Sequence, residues 1–542
     1  MRTIPSPRPV ARWRVARWGG TFALAGALFL LGIGAAPLID RDEPAYAETA
    51  REMLSRGDWL VTYFNGRPWF DKPPLVYWGE MVAYRALGVN ETAARLPVAL
   101  FGLAGLAAVY WIGRRLRGPR AGALAAGVLA TSLLYLGLAR VALLDVPFTA
   151  CIALAMGALV AGVQEPGRAR WPLLAGAALG LAVLAKSVAA LVLFAAVLVG
   201  VGLAMRSRVR PRGLRWGYAL ATCAAVAAPW YVAMTLRFGA GFLEQFLGAG
   251  HVGRFLQAEH TRSVTPFYYL PILAAGFLPW TAAIPGSLQS AWRDRREAAV
   301  PLLWAGLTFA FFTAAQSKLP GYILPMFPAL ALLVGLDLDR RLEAGALRGM
   351  FYATGFTLLV AGVLPVAASG EGRPALWAAG LLGCLAMLPL APVIWRQGRA
   401  AGAAWAAGFG LAAAGLLGYG LLPAVAPEYC ARDLARRIQA EGHPHQIYVV
   451  GVAPLEAPSL LFYSRQTVTP VERGRAPMLG PGAAVVVSGA RVSSWLREQG
   501  LEQVGTAGRL SLWMAPHAEK RTGALLHEHR SKRVLSRGGR AR

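Results

Sequence analysis

Long apolar runs separated by short polar connections dominate the first 425 residues of the chain. A run of about 20 apolar residues can cross the hydrocarbon core of a bilayer as a helix. The pattern therefore predicts about thirteen transmembrane spans, several of them short or interrupted by Gly and Pro. They cover residues 20–39, 94–112, 121–139, 143–162, 171–186, 187–205, 216–236, 267–285, 299–315, 319–336, 350–369, 375–395 and 402–424.

The connection after the first run differs from the others because it is long, acidic and aromatic. Residues 44–55 fit an amphipathic helix with a lipid-facing and a water-facing side. The lipid side is predicted to carry Ala47, Ala50, Met53 and Leu54, and the water side Glu48, Arg51 and Glu52. A second amphipathic helix is predicted to open at the run Trp69-Phe70-Asp71-Lys72-Pro73-Pro74 and to end near Leu87.

From residue 426 the pattern becomes that of a small soluble α/β domain. Helices are predicted at 431–440, 459–464 and 492–499, and strands at 446–452, 467–471, 484–487 and near 510–513. The end of the chain is basic and rich in Gly and Ser, which predicts disorder. The predicted organisation is a basic cytoplasmic segment (1–19), a transmembrane domain (20–425) that includes the first loop (40–93), a soluble domain (426–516) and a tail (517–542).

The positions of the charged residues predict which side of the membrane each connection faces. The chain is 56% hydrophobic and carries a net charge of +27, a value that suggests nucleic acid until the charges are located. Arginines cluster in alternate connections, which is the bias of cytoplasmic loops. These clusters are Arg114, Arg115, Arg117 and Arg120, then Arg168 and Arg170, and further groups within 206–215, 293–296, 340–348 and 396–399. We therefore expect no nucleic-acid partner, a cytoplasmic N-terminus, and an outward-facing first loop and soluble domain.

The same topology gathers a set of chemically active side chains on the outer face. They are Asp42, Asp71, Lys72, Asp145, Lys186, His251 and Lys318. Only five of the 55 basic residues are lysines, and the three that precede residue 500 all lie at outer connections. A lysine ammonium is a compact charge suited to phosphate, so the pattern indicates a charged headgroup as ligand.

Each of these candidates also has a structural interpretation. Asp42 can cap the first loop helix or act as a general base, and the two roles are compatible. The segment from Trp69 to Lys72 can anchor the chain at the interface or bind phosphate. Lys318 can extend its ammonium from a Pro/Gly turn to the interface, with Tyr322 one turn further on.

Two further candidates are weaker on spacing alone. Asp145 follows Arg140 by five residues and precedes a proline, which is also a common capping arrangement. His251 is a lone histidine in a long outer loop, and no His-x-x-His spacing supports a metal. The four cysteines offer no disulfide framework or thiolate cluster. The chain contains no P-loop, HExxH motif or nucleophile elbow, so ATP-driven transport and serine hydrolysis lose support.

Taken in order, these motifs resemble a known family. The Asp42-Glu43 pair with Tyr46, the Phe-Asp-Lys-Pro-Pro block, Arg140 with Asp145, His251, and Ser-Lys-Leu-Pro-Gly-Tyr-Ile-Leu-Pro from residue 317 are similar to those of the bacterial aminoarabinose–lipid A transferases. That family lies within the protein O-mannosyltransferase-like superfamily of GT-C glycosyltransferases. The resemblance covers residues 20–425 and, more loosely, the soluble domain. It implies an all-α polytopic membrane protein of the GT-C type with a small C-terminal α/β domain.

The resemblance also implies an activity and a place for it. The enzyme would move a sugar, such as aminoarabinose or a related pentose or hexose, from a polyprenyl-phosphate donor with inversion. The acceptor would be lipid A or another cell-envelope glycolipid, on the periplasmic face of the bacterial inner membrane among membrane lipids. Protein O-mannosylation is the alternative within the class, and a polytopic transporter is the alternative outside it.

Residue roles follow from the same resemblance. Asp42 matches the catalytic aspartate, with Glu43 and Tyr46 beside it. The remaining substrate- or phosphate-contacting positions are Trp69, Lys72, Arg140, Asp145, Arg254, Lys318 and Tyr322. Asp71 and His251 match a metal pair that would hold Zn, Mg or Mn, although Asp71 replaces the usual glutamate and Trp69 the usual tyrosine.

Overall fold

The computed structural model describes residues 26–204, 216–246, 265–344, 426, 428–440, 446–451, 453–471, 483–488 and 493–514. The predicted spans at 350–369, 375–395 and 402–424 and the basic segments 1–19 and 517–542 lie outside these ranges. The described residues form two compact units. The membrane unit contains residues up to Ala36, Met53–Thr62 and Pro68 onward to Ala344, and the C-terminal unit contains Pro37–Glu52, Tyr63–Arg67 and everything from Ala426 on.

Helices built from the apolar runs make up the membrane unit. The first loop contains helix α1 (Asp42–Arg56) and the two-stranded hairpin β1 (Tyr63–Phe64) and β2 (Arg67–Pro68), most of whose residues belong to the C-terminal unit, and helix α2 (Leu75–Leu87) of the membrane unit. The helices that follow are α3 (Glu91–Leu116), α4 (Pro119–Thr131), α5 (Leu133–Leu138), α6 (Asp145–Gln164), α7 (Arg170–Ala185), α8 (Ala189–Ala204), α9 (Trp216–Phe238), α10 (Ala240–Leu243), α11 (Tyr269–Gly276), α12 (Ile284–Arg293), α13 (Ala299–Ala314) and α14 (Phe327–Ala344).

The number of spans that the structure supports is smaller than the thirteen predicted. Within the described ranges, four helices are long and apolar enough to cross a membrane: Glu91–Leu116, Asp145–Gln164, Trp216–Phe238 and Pro320–Ala344. A fifth is the pair Tyr269–Gly276 and Thr281–Arg293, which bends by 109°, and α7, α8 and α13 are shorter apolar helices. The chain is therefore a multi-pass membrane protein, but the count of thirteen is not confirmed.

Two predicted spans are broken for local reasons. The run 121–139 divides into α4 and α5 at Ser132, whose hydroxyl donates back to the carbonyl of Val128 (2.7 Å), while the next N–H donates to Leu278 (3.0 Å). The run 267–285 divides around Pro279 into Tyr269–Gly276 and Thr281–Arg293, which bend by 109° relative to each other. The length of an apolar run alone therefore does not predict such helix breaks.

Small residues allow the helices of the membrane unit to approach closely, as expected where lipid gives little hydrophobic drive for helix association. A Cβ atom at Gly335 of α14 would lie 2.5 Å from the backbone N of Ala125 in α4. At Gly176 of α7 it would lie 2.1 Å from the carbonyl oxygen of Ala219 in α9. These contacts explain why apolar stretches rich in Gly and Ala pack as a bundle.

Ion pairs join the arginine-rich connections on one face of the unit. Arg117, after α3, donates to Asp339 near the end of α14 (2.9 Å), and Arg340 pairs with Glu297 between α12 and α13 (3.0 Å). Arg115 also pairs with Glu165 at the end of α6 (2.9 Å). The predicted clusters at 114–120, 168–170, 293–296 and 340–341 therefore share a face, as the alternating charge pattern requires.

The C-terminal unit contains a five-stranded sheet in the order β4-β3-β5-β7-β6. Its elements are α15 (Arg432–Ala440), β3 (Gln446–Val450), α16 (Pro458–Ser464), β4 (Val468–Val471), β5 (Ala483–Ser488), α17 (Ser493–Glu498), β6 (Glu502–Ala507) and β7 (Leu510–Met514). Strand β3 pairs in parallel with β4 and β5, and β7 is antiparallel to β5 and β6. The predicted helices and strands of the α/β domain are confirmed, and only β6, whose Glu-Gln-Val-Gly-Thr-Ala sequence lacks apolar alternation, is new.

Enlarging Gly335 tests the close approach of α4 and α14. Gly335→Leu should lower the thermal midpoint in detergent, because overpacking a tight contact costs about 1–3 kcal/mol. The matched control is Gly306→Leu in α13, where a Cβ has no neighbour within 4 Å. Equal midpoints for the two variants would contradict the packing described for Gly335.

Candidate active-site residues

The acidic motif forms the first turn of α1, in the C-terminal unit. Asp42 is exposed, whereas Glu43 is 3% exposed and its carboxylate accepts a hydrogen bond from the Ile39 N–H (3.0 Å). Tyr46, one turn later, is buried. The carboxylate of Asp42 therefore faces solvent at the start of α1, while that of Glu43 is held by the backbone before the helix.

The predicted water-facing side of α1 is wrong. Glu48 is 1% exposed and Glu52 is 4% exposed. Glu48 forms an ion pair with Arg51 (2.6 Å), and Glu52 accepts a hydrogen bond from the N–H of Gly66 in the hairpin turn (2.9 Å). Buried charges require such partners, which is why an amphipathic pattern with three charged residues still forms a buried helix.

Burial changes the acidity of two carboxyls in this unit. It raises the pKa of Asp40 from its ordinary 3.8 to about 7, although hydrogen bonds from the side chain and backbone of Ser459 act in the opposite direction. Burial likewise raises the pKa of Glu48 to about 7, and the neighbouring Arg51 offsets part of that rise. Both groups therefore titrate near neutral pH.

The second motif belongs to the membrane unit and lies just before α2. The Asp71 carboxylate and the Lys72 ammonium form an ion pair (3.0 Å), and both side chains are partly exposed. Phe70 packs against Phe238 at the end of α9 (4.9 Å between ring centroids) and edge-on against Phe242 of α10 (5.3 Å). The backbone of Trp69 hydrogen bonds to Thr62 (2.8 Å), so the segment is held from both sides.

A third group of predicted residues meets where three helices end. Asp145, in the first turn of α6, accepts a hydrogen bond from the ammonium of Lys186 at the end of α7 (2.5 Å). The same ammonium lies 4.7 Å from the ring centroid of Tyr322, in the 3-10 turn Pro320–Met326. A Cβ at Gly321 would lie 2.8 Å from the Asp145 carboxylate, so only glycine allows this approach. The structure thus joins Asp145 and Tyr322 through Lys186, which the sequence placed on the same face.

Three buried cations in the membrane unit donate hydrogen bonds to backbone carbonyls. The Lys318 ammonium, 2% exposed, donates to the carbonyl of Ala315. The Arg140 guanidinium donates to the carbonyls of Leu28 and Leu31 (2.5 Å each), and Arg95 donates to those of Ile33 and Ala36 (2.8 Å each). Carbonyls near a helix end carry partial negative charge, which these arginines neutralise. A phosphate role for Arg140 and Lys318 stays a prediction.

The predicted metal site stays a prediction, because only one of its two ligands, Asp71, lies among the residues that the structure describes. Both oxygens of Asp71 contact the Lys72 ammonium (3.1 and 3.0 Å), a neighbour that disfavours a dication. Within the described ranges no three His, Cys, Asp or Glu side chains are grouped as metal ligands would be. The other predicted ligand, His251, and the predicted phosphate contact Arg254 lie outside those ranges.

Comparison with known proteins shows what the chain is similar to. A family profile described as dolichyl-phosphate-mannose-protein mannosyltransferase matches residues 38–243. An undecaprenyl phosphate-alpha-4-amino-4-deoxy-L-arabinose arabinosyl transferase from Aeromonas salmonicida is 36% identical over 354 residues, covering 63% of this chain and 64% of the relative. The one from Erwinia tasmaniensis is 34% identical over 327 residues, covering 59% of each chain. The chain therefore spans roughly three fifths of the length of these curated relatives.

Solved structures extend the similarity along the chain. The crystal structure of ArnT from Cupriavidus metallidurans bound to undecaprenyl phosphate is 26% identical, with a TM-score of 0.81, and covers 94% of this chain and 100% of that one. Its apo structure gives a TM-score of 0.80. The fold is accordingly that of a multi-pass membrane protein of the GT-C type. The resemblance read from the motifs is confirmed as a similarity, because the matching curated proteins are named undecaprenyl phosphate-alpha-4-amino-4-deoxy-L-arabinose arabinosyl transferases.

Asp40 should make the stability of the C-terminal unit depend on pH. Because its pKa in the folded chain lies above 3.8, its contribution to folding is complete below about pH 4 and is lost as the pH rises through about 7. Between pH 4.5 and 8, the thermal midpoint of the wild type should fall roughly 5 °C further than that of Asp40→Asn, because the amide of the variant does not titrate. Melting both proteins in the same detergent at several pH values measures this difference, and parallel curves would contradict the shifted pKa.

Proposed function

We propose that the chain is a membrane glycosyltransferase that moves aminoarabinose, or a closely related sugar, from undecaprenyl phosphate to lipid A or another envelope glycolipid. The proposal is carried by one observation: a protein whose structure was solved with undecaprenyl phosphate matches this chain over nearly its whole length. We place the reaction on the periplasmic face of the inner membrane, on the outer side predicted by the arginine distribution.

The lysines of the membrane unit are proposed to bind the donor phosphate. Lys72 and Lys186 are partly exposed, and each ammonium already lies beside a carboxylate. Polyprenyl phosphate leaves the anomeric carbon more readily when its developing negative charge is neutralised, and fixed ammonium groups supply that stabilisation. Tyr322, beside Lys186, offers a hydroxyl for the same headgroup.

Asp42 is proposed to act on the acceptor. If the acceptor is a hydroxyl, the Asp42 carboxylate removes its proton as the oxygen attacks the anomeric carbon from the face opposite the phosphate, which inverts the configuration. If the acceptor is a lipid A phosphate, its oxygen is already ionised, and Asp42 positions it without proton transfer. Glu43 and Tyr46 hold the first turn of α1 in either case.

The description of the matching family profile favours one second candidate, transfer to protein. A protein acceptor would present Ser or Thr hydroxyls, which need a base, whereas lipid A offers phosphates that do not. Offering both acceptors to the purified enzyme with the same labelled donor distinguishes the two functions. Transport is disfavoured because the charges lie at span ends rather than near the middle of the bundle.

Asp42→Asn should abolish most of the turnover. Loss of a general base costs about 10²–10⁴-fold in rate, so transfer of labelled sugar from a panel of undecaprenyl-phosphate donors to lipid A and to protein should collapse at unchanged thermal stability. The matched control is Asp433→Asn, an exposed carboxylate on α15 that should transfer at the wild-type rate. Full activity of Asp42→Asn with a hydroxyl acceptor would remove Asp42 from proton transfer.

Lys72→Met should weaken donor binding. A hydrogen bond to a charged group contributes about 1.5–3 kcal/mol, so the Kd for undecaprenyl phosphate should rise roughly 10- to 100-fold. Titration of the lipid into detergent-solubilised protein measures this change, with Arg85→Met, an exposed cation on α2, as the control. Unchanged binding by Lys72→Met would leave its ammonium a structural partner of Asp71 only.

A further inference from the structure

The residues that lead into the acidic motif are hydrogen-bonded to the C-terminal domain, roughly 390 to 425 positions away in sequence. The Leu38 N–H donates to the hydroxyl of Tyr463 (2.8 Å), and the Asp40 N–H donates to the carbonyl of Tyr429 (2.9 Å). The Asp40 carboxylate accepts from both the N–H (2.8 Å) and the hydroxyl (2.7 Å) of Ser459. Asp42, which opens α1, follows two residues later.

Ser459 is well placed to fix this junction. It is fully buried, and its hydroxyl oxygen also accepts a hydrogen bond from the N–H of Ala431, just before α15. The hydroxyl thus donates to Asp40 and accepts from the domain backbone, which ties the residues before α1 to two segments of the C-terminal domain. A fully satisfied buried network of this kind is rigid, because any displacement leaves a polar group unpaired.

A second set of hydrogen bonds reaches α1 closer to its C-terminal end, at Glu52. The Asn65 amide donates to the carbonyl of Val468 (2.9 Å) and accepts from its N–H (2.8 Å), as a neighbouring strand would at the edge of β4. Asn65 adopts a φ of 54°, a left-handed conformation that suits Asn and leads into Gly66. The Gly66 N–H in turn donates to Glu52 of α1.

We propose that Asp40, Ser459 and Asn65 are positioning residues, through which the C-terminal domain holds α1 at both ends and orients Asp42 for transfer. The proposal rests on the proposed function. The sequence of the C-terminal domain contains no residues at the spacing of a catalytic motif. The proposal gives this domain a part in the reaction through the position of α1. A displacement of about 1 Å at a reacting group can lower the rate about 10²-fold, so loss of these hydrogen bonds should lower the rate of transfer strongly.

The test compares turnover with amide hydrogen exchange across residues 38–50 in the full chain. Ser459→Ala and Asp40→Ala should lower kcat roughly 10- to 100-fold, leave the KM for the donor within about twofold, and speed exchange at the start of α1. Asp40→Asn should restore both readouts, because its amide can accept from the Ser459 N–H and donate to the hydroxyl. Asn65→Ala should speed exchange near the end of α1. Thr506→Ala, an exposed hydroxyl on β6, should leave kcat and exchange unchanged.

Three results would overturn the proposal. The first is wild-type kcat in Ser459→Ala despite faster exchange, because the position of α1 would then not matter. The second is unchanged exchange, because the hydrogen bonds would then not hold the helix. The third is equal loss of kcat in Asp40→Asn and Asp40→Ala, because the carboxylate itself would then be required. If the wild type transfers no sugar, the proposed function fails, and exchange alone decides whether the domain holds α1.

Discussion

A charge in apolar surroundings has to be matched by an opposite charge or by hydrogen bonds, and this constraint shapes both units. Asp339 is 3% exposed and is paired with arginines from the connection after α3. Arg95 and Arg140 are buried and donate to carbonyls between Leu28 and Ala36, in the first apolar run. In each case the partner comes from a different apolar run, so satisfying the charge also fixes which helix ends lie together.

Much of the fold could be predicted because short stretches of the sequence already show the patterns that these constraints produce. The arginine-rich connections follow the rule that sets topology, and the structure joins them through Glu165, Glu297 and Asp339. The strands of the C-terminal domain show β-branched runs, as at Val485–Val487, which become its core. What local pattern could not reveal is where an apolar run breaks, since the helices end near Ser132 and Pro279 without a change in hydropathy.

The residues of the candidate site likewise fall into those that the sequence indicated and those that only the structure showed. Residue type and position pointed to Asp42, Asp71, Lys72 and Asp145, because the first loop is unusually acidic and the three lysines before residue 500 all lie at connections predicted to face outward. Lys186 was placed on that face by topology, but its contact with Asp145 needed the structure. Asp40, Ser459 and Asn65 carry no recognisable spacing, because their partners lie more than 400 residues away. The prediction of a water-facing Glu48 failed for a related reason, since an ion pair one turn away allows a carboxylate to be buried.

The pairing of the outer lysines bears on how a transferase of this kind would work. An ammonium that already lies beside a carboxylate, as Lys186 lies beside Asp145, is held in place before any phosphate arrives. Such a group needs little reorganisation during the reaction, which is the condition under which fixed charges stabilise a transition state most strongly. The carboxylate also weakens ground-state binding of an anion, because it shares the same cation. A leaving phosphate gains negative charge as the glycosidic bond breaks, so the attraction strengthens where it accelerates the reaction. Paired lysines therefore favour release of the polyprenyl phosphate over tight retention of the donor.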